Sequence, residues 1–179
     1  VHLPVTAAAD SLPSKAVLIG GGPHVAALGV TVDDLGGEGF RLRTVGDRLI
    51  IAGGRPRGTV YGVFALLERL GCRWWTPTES TIPRRPTLVV EPLDVREVPG
   101  LETRNIMYAE GFREANAVWF VRNRLNGNGW EPIPERFGGD TLSAGLQGHN
   151  SIDAVEASTE TITDDMWAFH EGERSHEEI

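Results

Sequence analysis

The sequence predicts an α+β fold, a small sheet with a helix laid on it, and three observations lead there. Residues 39–54, "GFRLRTVGDRLIIAGG", set Phe40, Leu42 and Thr44 against Arg41, Arg43 and Val45, then turn at Gly46-Asp47. Residues 59–71, "TVYGVFALLERLG", repeat apolar side chains at three- and four-residue steps. Short apolar runs at 15–22 and 87–93 flank this pair. A period of two reads as strand and a period near 3.6 as helix, so the order is strand, hairpin, helix, strand.

Taken in order, residues 1–14 are a polar lead-in with Pro4 and Pro13 and room for an edge strand. "KAVLIGGG" (15–22) reads as a short buried strand closed by glycines. "PHVAALGV" supplies one or two helical turns, and "TVDDLG" a further short helix with Thr31 as N-cap and Gly36 as stop. The hairpin over 39–54 is expected to keep one wet face. In the long helix, Val60, Val63, Phe64, Leu67 and Leu70 form the apolar stripe, and Gly71 stands where a left-handed C-terminal stop belongs. "CRWWTPTESTIPRRP" reads as loop with short extended pieces, and "TLVVEPL" (87–93) as a strand.

"DVREVPGLE" marks a boundary. Residues 1–95 carry ten Lys+Arg and nine Asp+Glu, whereas residues 96–179 carry seven and sixteen. An acidic second half lacks the basic footprint that nucleic acid requires. No apolar run approaches the roughly 20 residues of a membrane span. Beyond the boundary, "LETRNIMYAEG" (101–111) reads as a buried strand. "FREANAVWFVRNRLNG" (112–127) reads as a helix with Ala115, Val118, Trp119 and Arg122 on one side. Residues 126–151 are rich in glycine and asparagine, and the tail "DDMWAFHEGERSHEEI" has helical potential without a long apolar stripe.

Chemistry-bearing motifs are sparse. Cys72 is the only cysteine, which excludes an internal disulfide and a cysteine-rich zinc site, and it reads as a buried structural thiol. The glycine turn "GGRPRG" (53–58) ends a strand and opens a helix, as a phosphate-binding loop does. However, Pro56 removes a donor, no lysine follows, and the dinucleotide spacing is absent. The favoured reading is a corner in which Gly53 and Gly54 adopt unusual φ and Gly58 and Gly62 let the helix approach the sheet. His170 and His176, amid glutamates, lack the HExxH spacing and read as part of a solvated tail.

The stretch "EGFRLRTVGDRLIIAGGRPRGTVYGVFALLERLGCRWWTP" (38–77), followed by "TIP" and "PTL", resembles the small α/β domain that precedes the catalytic barrel of several glycoside hydrolases. The likeness is to the N-terminal domain of alpha-glucuronidases (family 67). It extends to the related accessory domain (domain 2) of beta-hexosaminidases (family 20) and to uncharacterised bacterial proteins built the same way. It covers residues 15–95 strongly and 96–179 more weakly. The resemblance implies a non-catalytic accessory domain over 1–95, then the start of a (β/α)8 barrel over 96–179, with "LETRNIMY" as its first strand. It also implies a carbohydrate substrate for the parent protein and favours a periplasmic or extracellular location, while no signal segment is read in the sequence and the compartment stays unassigned; no cofactor or metal is expected.

Three residues become substrate-binding candidates through this resemblance. Arg104 resembles a first-strand arginine that grips sugar hydroxyls, for which a guanidinium is suited; its alternative is an ion pair with Glu102 or Glu110. His149, in "GHNS", is positioned to donate to a hydroxyl or carboxylate, or is a loop histidine with no role. Trp130, in a loop, is a stacking platform, while Trp119, on a helical stripe, belongs to the core. The catalytic carboxyl pair of glycoside hydrolysis is not recognisable among Glu110, Glu114, Asp140 and Asp153, so the catalytic residues are unassigned. The expectation is a fragment, a truncated product, or a piece completed by the remainder of the barrel or by another chain. The alternative is a non-enzymatic module binding glycan or protein. A nucleotide-binding protein using "GGG" (20–22) or the later turn is the weakest reading.

Overall fold

The computed structural model describes residues 4–5, 7, 12–106, 117–127, 133–139, 141, 169–170 and 173–174. Its elements are β1 (Ala16–Ile19), α1 (Pro23–Ala27), β2 (Phe40–Val45), β3 (Arg48–Gly53), α2 (Pro56–Arg69), β4 (Arg73–Trp74), β5 (Ser80–Thr81), β6 (Asp94–Glu97), α3 (Ala117–Arg122), a 3-10 turn at Glu135–Phe137, β7 (Phe169–His170) and β8 (Glu173–Arg174). The mixture of a small sheet with helices is the α+β class the sequence predicts. The chain divides into two compact units, Val1–Leu142 and Ser143–Ile179.

In the first unit the main sheet has the order β1-β3-β2-β6. β1 runs parallel to β3, and β2 is antiparallel to both β3 and β6. The hairpin turn places Gly46 at φ 59, a conformation glycine adopts without penalty. One face of the sheet buries Phe40, Leu42 and Ile51 against Tyr61, Ala65 and Leu66 of α2 and against Phe120, Val121 and Ile133. The opposite face buries Ile50 and Ala52 against Val25 and Val30. The hairpin therefore does not keep a wet face throughout. β3 is covered on both sides, because α1 and the turn after it fold over the side opposite α2. The run Ile50-Ile51-Ala52 is the continuous apolar signature of a strand covered twice.

Several expectations need correction. α2 begins at Pro56, not Thr59. Proline suits the first helical position, where no N–H is needed. Its buried positions are Arg57, Gly58, Tyr61, Gly62, Ala65 and Leu66 rather than the stripe Val60, Val63, Phe64, Leu67 and Leu70, of which Val60, Val63, Phe64 and Leu70 are half-buried at the margin of the core. The wheel is rotated because the glycines, which carry no hydrophobic signal, face the sheet. A Cβ on Gly62 would sit 2.9 Å from Ile51 Cγ2, and one on Gly58 would meet the Gly39 carbonyl. Gly53 and Gly54 lack positive φ. They are small for the same reason of close approach, to Thr59 and to Gly36. Gly71 does end the helix at φ 96. Its N–H donates to the Glu68 carbonyl at 2.9 Å and Cys72 N–H donates to Leu67 at 3.0 Å, the paired bonds of a Schellman stop. Cys72 is buried, with its thiol free.

Residues 31–36 form turns and not a helix. The last strand is Asp94–Glu97, not 87–93. The cause lies in its partner. β2 ends at Val45, Leu93 N–H goes to the Thr44 hydroxyl instead of a carbonyl, and Pro92 has no N–H to continue the ladder. Residues 101–106 are not strand, and residues 107–111 lie outside the described residues. Of the predicted helix over 112–127, Ala117–Arg122 is helical and buries Ala117, Phe120 and Val121. In the second unit, Phe169 pairs with Arg174 and His170 with Glu173 as antiparallel strands, where the sequence suggested a helix. A tail without an apolar stripe has little packing energy to hold a helix.

Gly58→Ala tests the close approach. Alanine favours a helix interior by about 1 kcal/mol over glycine, yet the collision is with a backbone carbonyl that cannot turn aside. The expected net result is a loss of about 1–3 kcal/mol, read as a lower urea midpoint with an unchanged slope.

Candidate functional site

The polar centre of the first unit gathers on Glu38, in the loop before β2. Arg57, the second residue of α2, is 7% exposed, and Asn126 is fully buried. Arg57 Nη1 donates to Glu38 Oε1 at 2.7 Å and to the Thr141 hydroxyl at 2.8 Å, while its Nη2 donates to the carbonyls of Gly138 and Gly139. Arg104 Nη2 donates to Glu38 Oε2. Arg104 Nε donates to the Arg124 carbonyl at 2.9 Å and its Nη1 to the Leu101 carbonyl at 2.6 Å. Asn126 completes the ring: its amide donates to both Glu38 oxygens, at 3.0 and 3.1 Å, and to the Glu102 carbonyl at 2.6 Å, and its Oδ1 accepts Arg104 N–H at 2.7 Å.

One carboxylate thus faces two guanidinium groups and an amide. Burial pushes the Glu38 pKa up, but the hydrogen bonds from Arg104, Asn126 and Arg57 outweigh it and hold the group below its ordinary value. Tyr61 lies alongside. Its hydroxyl donates to the Leu125 carbonyl at 3.0 Å, and the Arg104 guanidinium sits 5.8 Å from its ring centre. Burial, then the nearby Glu38 charge, raise the Tyr61 pKa.

A second arginine network lies on the other side of the sheet. Asp34 accepts from Arg96 Nε at 2.7 Å and from Arg41 Nη2 at 2.8 Å. These hydrogen bonds, Arg96 first, lower its pKa to about 2. Arg41 and Arg43 also donate to the carbonyls of Thr31 and Gly29, so the polar side of β2 fastens the 29–34 turn.

Compared with known proteins, the chain matches no family model, no curated protein and no solved structure.

Of the residues singled out in the sequence, Arg104 stands in the Glu38 cluster. It pairs with Glu38 rather than with Glu102, whose side chain is exposed. His149, Trp130 and Glu110 lie outside the described residues. Trp119 is half-buried beside the core, and its Nε1 donates to the Trp74 carbonyl at 3.1 Å. The turn at 53–58 offers little to an anion: Gly53 N–H donates to the Thr59 hydroxyl at 3.1 Å and Gly54 N–H to the Gly39 carbonyl at 3.1 Å. No group of three His, Cys, Asp or Glu side chains among the described residues is gathered for a metal, and no helix among them is long and apolar enough to cross a membrane.

Glu38, Arg57 and Asn126 escaped the sequence reading. Arg57 alone carried a signal. An arginine in the first turn of a helix opposes the macrodipole, and that placement calls for a compensating anion. Asn126 was concealed in a glycine- and asparagine-rich stretch that reads as loop.

Replacing Glu38 with Gln leaves the buried Arg57 without its counter-charge, and a loss of about 3 kcal/mol is expected at neutral pH. Because the folded-state pKa of Glu38 lies below 4.5, its contribution is complete above that pH and is lost as pH falls through the folded value. Urea titrations should therefore show the wild type and Glu38→Gln converging in acid. A gap that stays constant down to unfolding would exclude the ionised carboxylate as the cause.

Proposed function

We propose that the α+β layer is a non-catalytic accessory module of a carbohydrate-active glycoside hydrolase, and that the residues after about 96 begin its (β/α)8 barrel. The resemblance of residues 15–95 motivates this reading, and one observation carries it. Between residues 12 and 141, Glu38 and Glu68 are the only described carboxylates that are not exposed, and both are held by arginines. Glycoside hydrolysis needs a carboxyl group whose pKa is raised so that it can protonate the leaving oxygen. The Glu38 pKa moves the opposite way. Its partners are arranged to keep it charged and in place, which suits a joint and not an acid catalyst.

In this reading the Glu38 cluster joins the sheet and α2 to residues 101–104 and 124–126 and to Gly138, Gly139 and Thr141. Arg104 would meet a sugar through its guanidinium, and His149 and Trp130 would add a polar donor and a stacking face. The parent's carboxyl pair would come from later barrel strands. The exposed apolar run at 88–90 favours protein contact where the module is read as a binding unit alone.

The test is a turnover assay of the 179-residue chain on a panel of glucuronides and N-acetylhexosaminides, paired with thermal shifts. No hydrolysis is expected. A bound sugar at one hundred times its dissociation constant should stabilise the chain by about 2.7 kcal/mol, and Trp130→Ala should weaken that effect. Hydrolysis that disappears in Glu38→Gln or Glu68→Gln would sink the non-catalytic reading.

A further inference from the structure

Residues 84–92, "RRPTLVVEP", are exposed without interruption. Leu88, Val89 and Val90 are 58%, 64% and 38% exposed. The composition is that of a strand, with an apolar, β-branched centre. No backbone hydrogen bond joins this run to any described residue. An open groove of about 430 Å³ lies between this run and the end of α2, lined by the apolar Leu66, Val89 and Leu93 and by the charged Arg69, Arg85 and Glu91. Unpaired backbone next to exposed apolar side chains is a template for another strand.

The charges name the partner. Arg84 and Arg85 precede the apolar centre and Glu91 follows it, and none of the three has an ion pair among the described residues. We propose that residues 84–92 pair antiparallel with the same segment of a second copy of this chain. A two-fold axis through Leu88 sets Arg85 of each copy opposite Glu91 of the other, Thr87 opposite Val89, and Leu88 opposite itself. Parallel pairing in register would instead set arginine on arginine and glutamate on glutamate. The antiparallel arrangement is isologous and closes at two copies. In this register Pro86, which has no N–H, stands opposite Val90 of the other copy, so the continuous backbone ladder is short and Arg85 and Glu91 meet at its two ends. The interface rests on no sugar site and is independent of the accessory-module reading.

Sedimentation equilibrium of the full chain tests this. The wild type should show a concentration-dependent monomer–dimer equilibrium. Leu88→Lys opposes two ammonium groups on the axis and should give a monomer. Arg85→Glu or Glu91→Arg alone should weaken association about tenfold, and the double reversal should restore it. All these side chains are exposed, so an unchanged melting temperature will show that the fold is intact. A wild-type chain that stays monomeric into the hundred-micromolar range overturns the proposal and leaves the run to a different chain. So does a dimer indifferent to Leu88→Lys, or a double reversal that recovers nothing.

Discussion

The ionised Glu38 carboxylate is the interaction on which the first unit depends. Arg57 is nearly enclosed, and a guanidinium in that setting is tolerable only beside an anion. Arg57 also gathers the carbonyls of Gly138 and Gly139 and the hydroxyl of Thr141. Arg104, on the far side of the same carboxylate, draws in the carbonyls of Leu101 and Arg124. Segments distant in sequence thus share one charge. Such networks add little net stability over an apolar core, but they are costly to break at one member. Their effect is to define which backbone groups meet, and here they define the course of the chain after β6.

That network presupposes the close contact of α2 with the sheet. Gly58 and Gly62 bring the helix onto Phe40, Ile51 and the Gly39 carbonyl. The same approach carries Arg57 to the loop holding Glu38. Larger side chains at either glycine would lift the helix and lengthen the ion pair. The packing of apolar side chains and the geometry of the polar cluster are consequently one constraint. Tyr61 belongs to both, with its ring in the core and its hydroxyl on the Leu125 carbonyl.

The chemical character of the cluster follows. Each charged group is held by several fixed partners, and the Glu38 pKa is lowered, so the cluster is arranged to stay ionised and still. Groups that transfer protons are instead poised near neutrality. This unit presents exposed apolar surface elsewhere, in the run at 84–92, where apolar side chains stand beside arginines and a glutamate that form no ion pair among the described residues. A closely tied interior and an open margin thus lie side by side in the first unit.

The hairpin of β2 and β3, the stop at Gly71 and the buried Cys72 were legible from the sequence, because alternation, a left-handed glycine and a lone apolar-flanked thiol are local signals. The burial of β3 on both faces was visible in the run Ile50-Ile51-Ala52 but was outweighed by the alternation in β2. The buried face of α2 was not legible, since glycines carry no hydrophobic signal and only the sheet beneath reveals their role. The strand misplaced at 87–93 had the right composition and no neighbour; whether a β-prone run becomes a strand depends on an edge for it to pair with. Arg104 was noticed, but its partner Glu38 stands 66 residues away, and no local pattern encodes that distance. Sequence by itself determined the class of fold, its hairpin and its main helix, because those follow from periodicity over a few residues. Tertiary structure alone decided the ion pairs, the rotated helix face and the unpaired run, because each depends on which distant backbone arrives alongside.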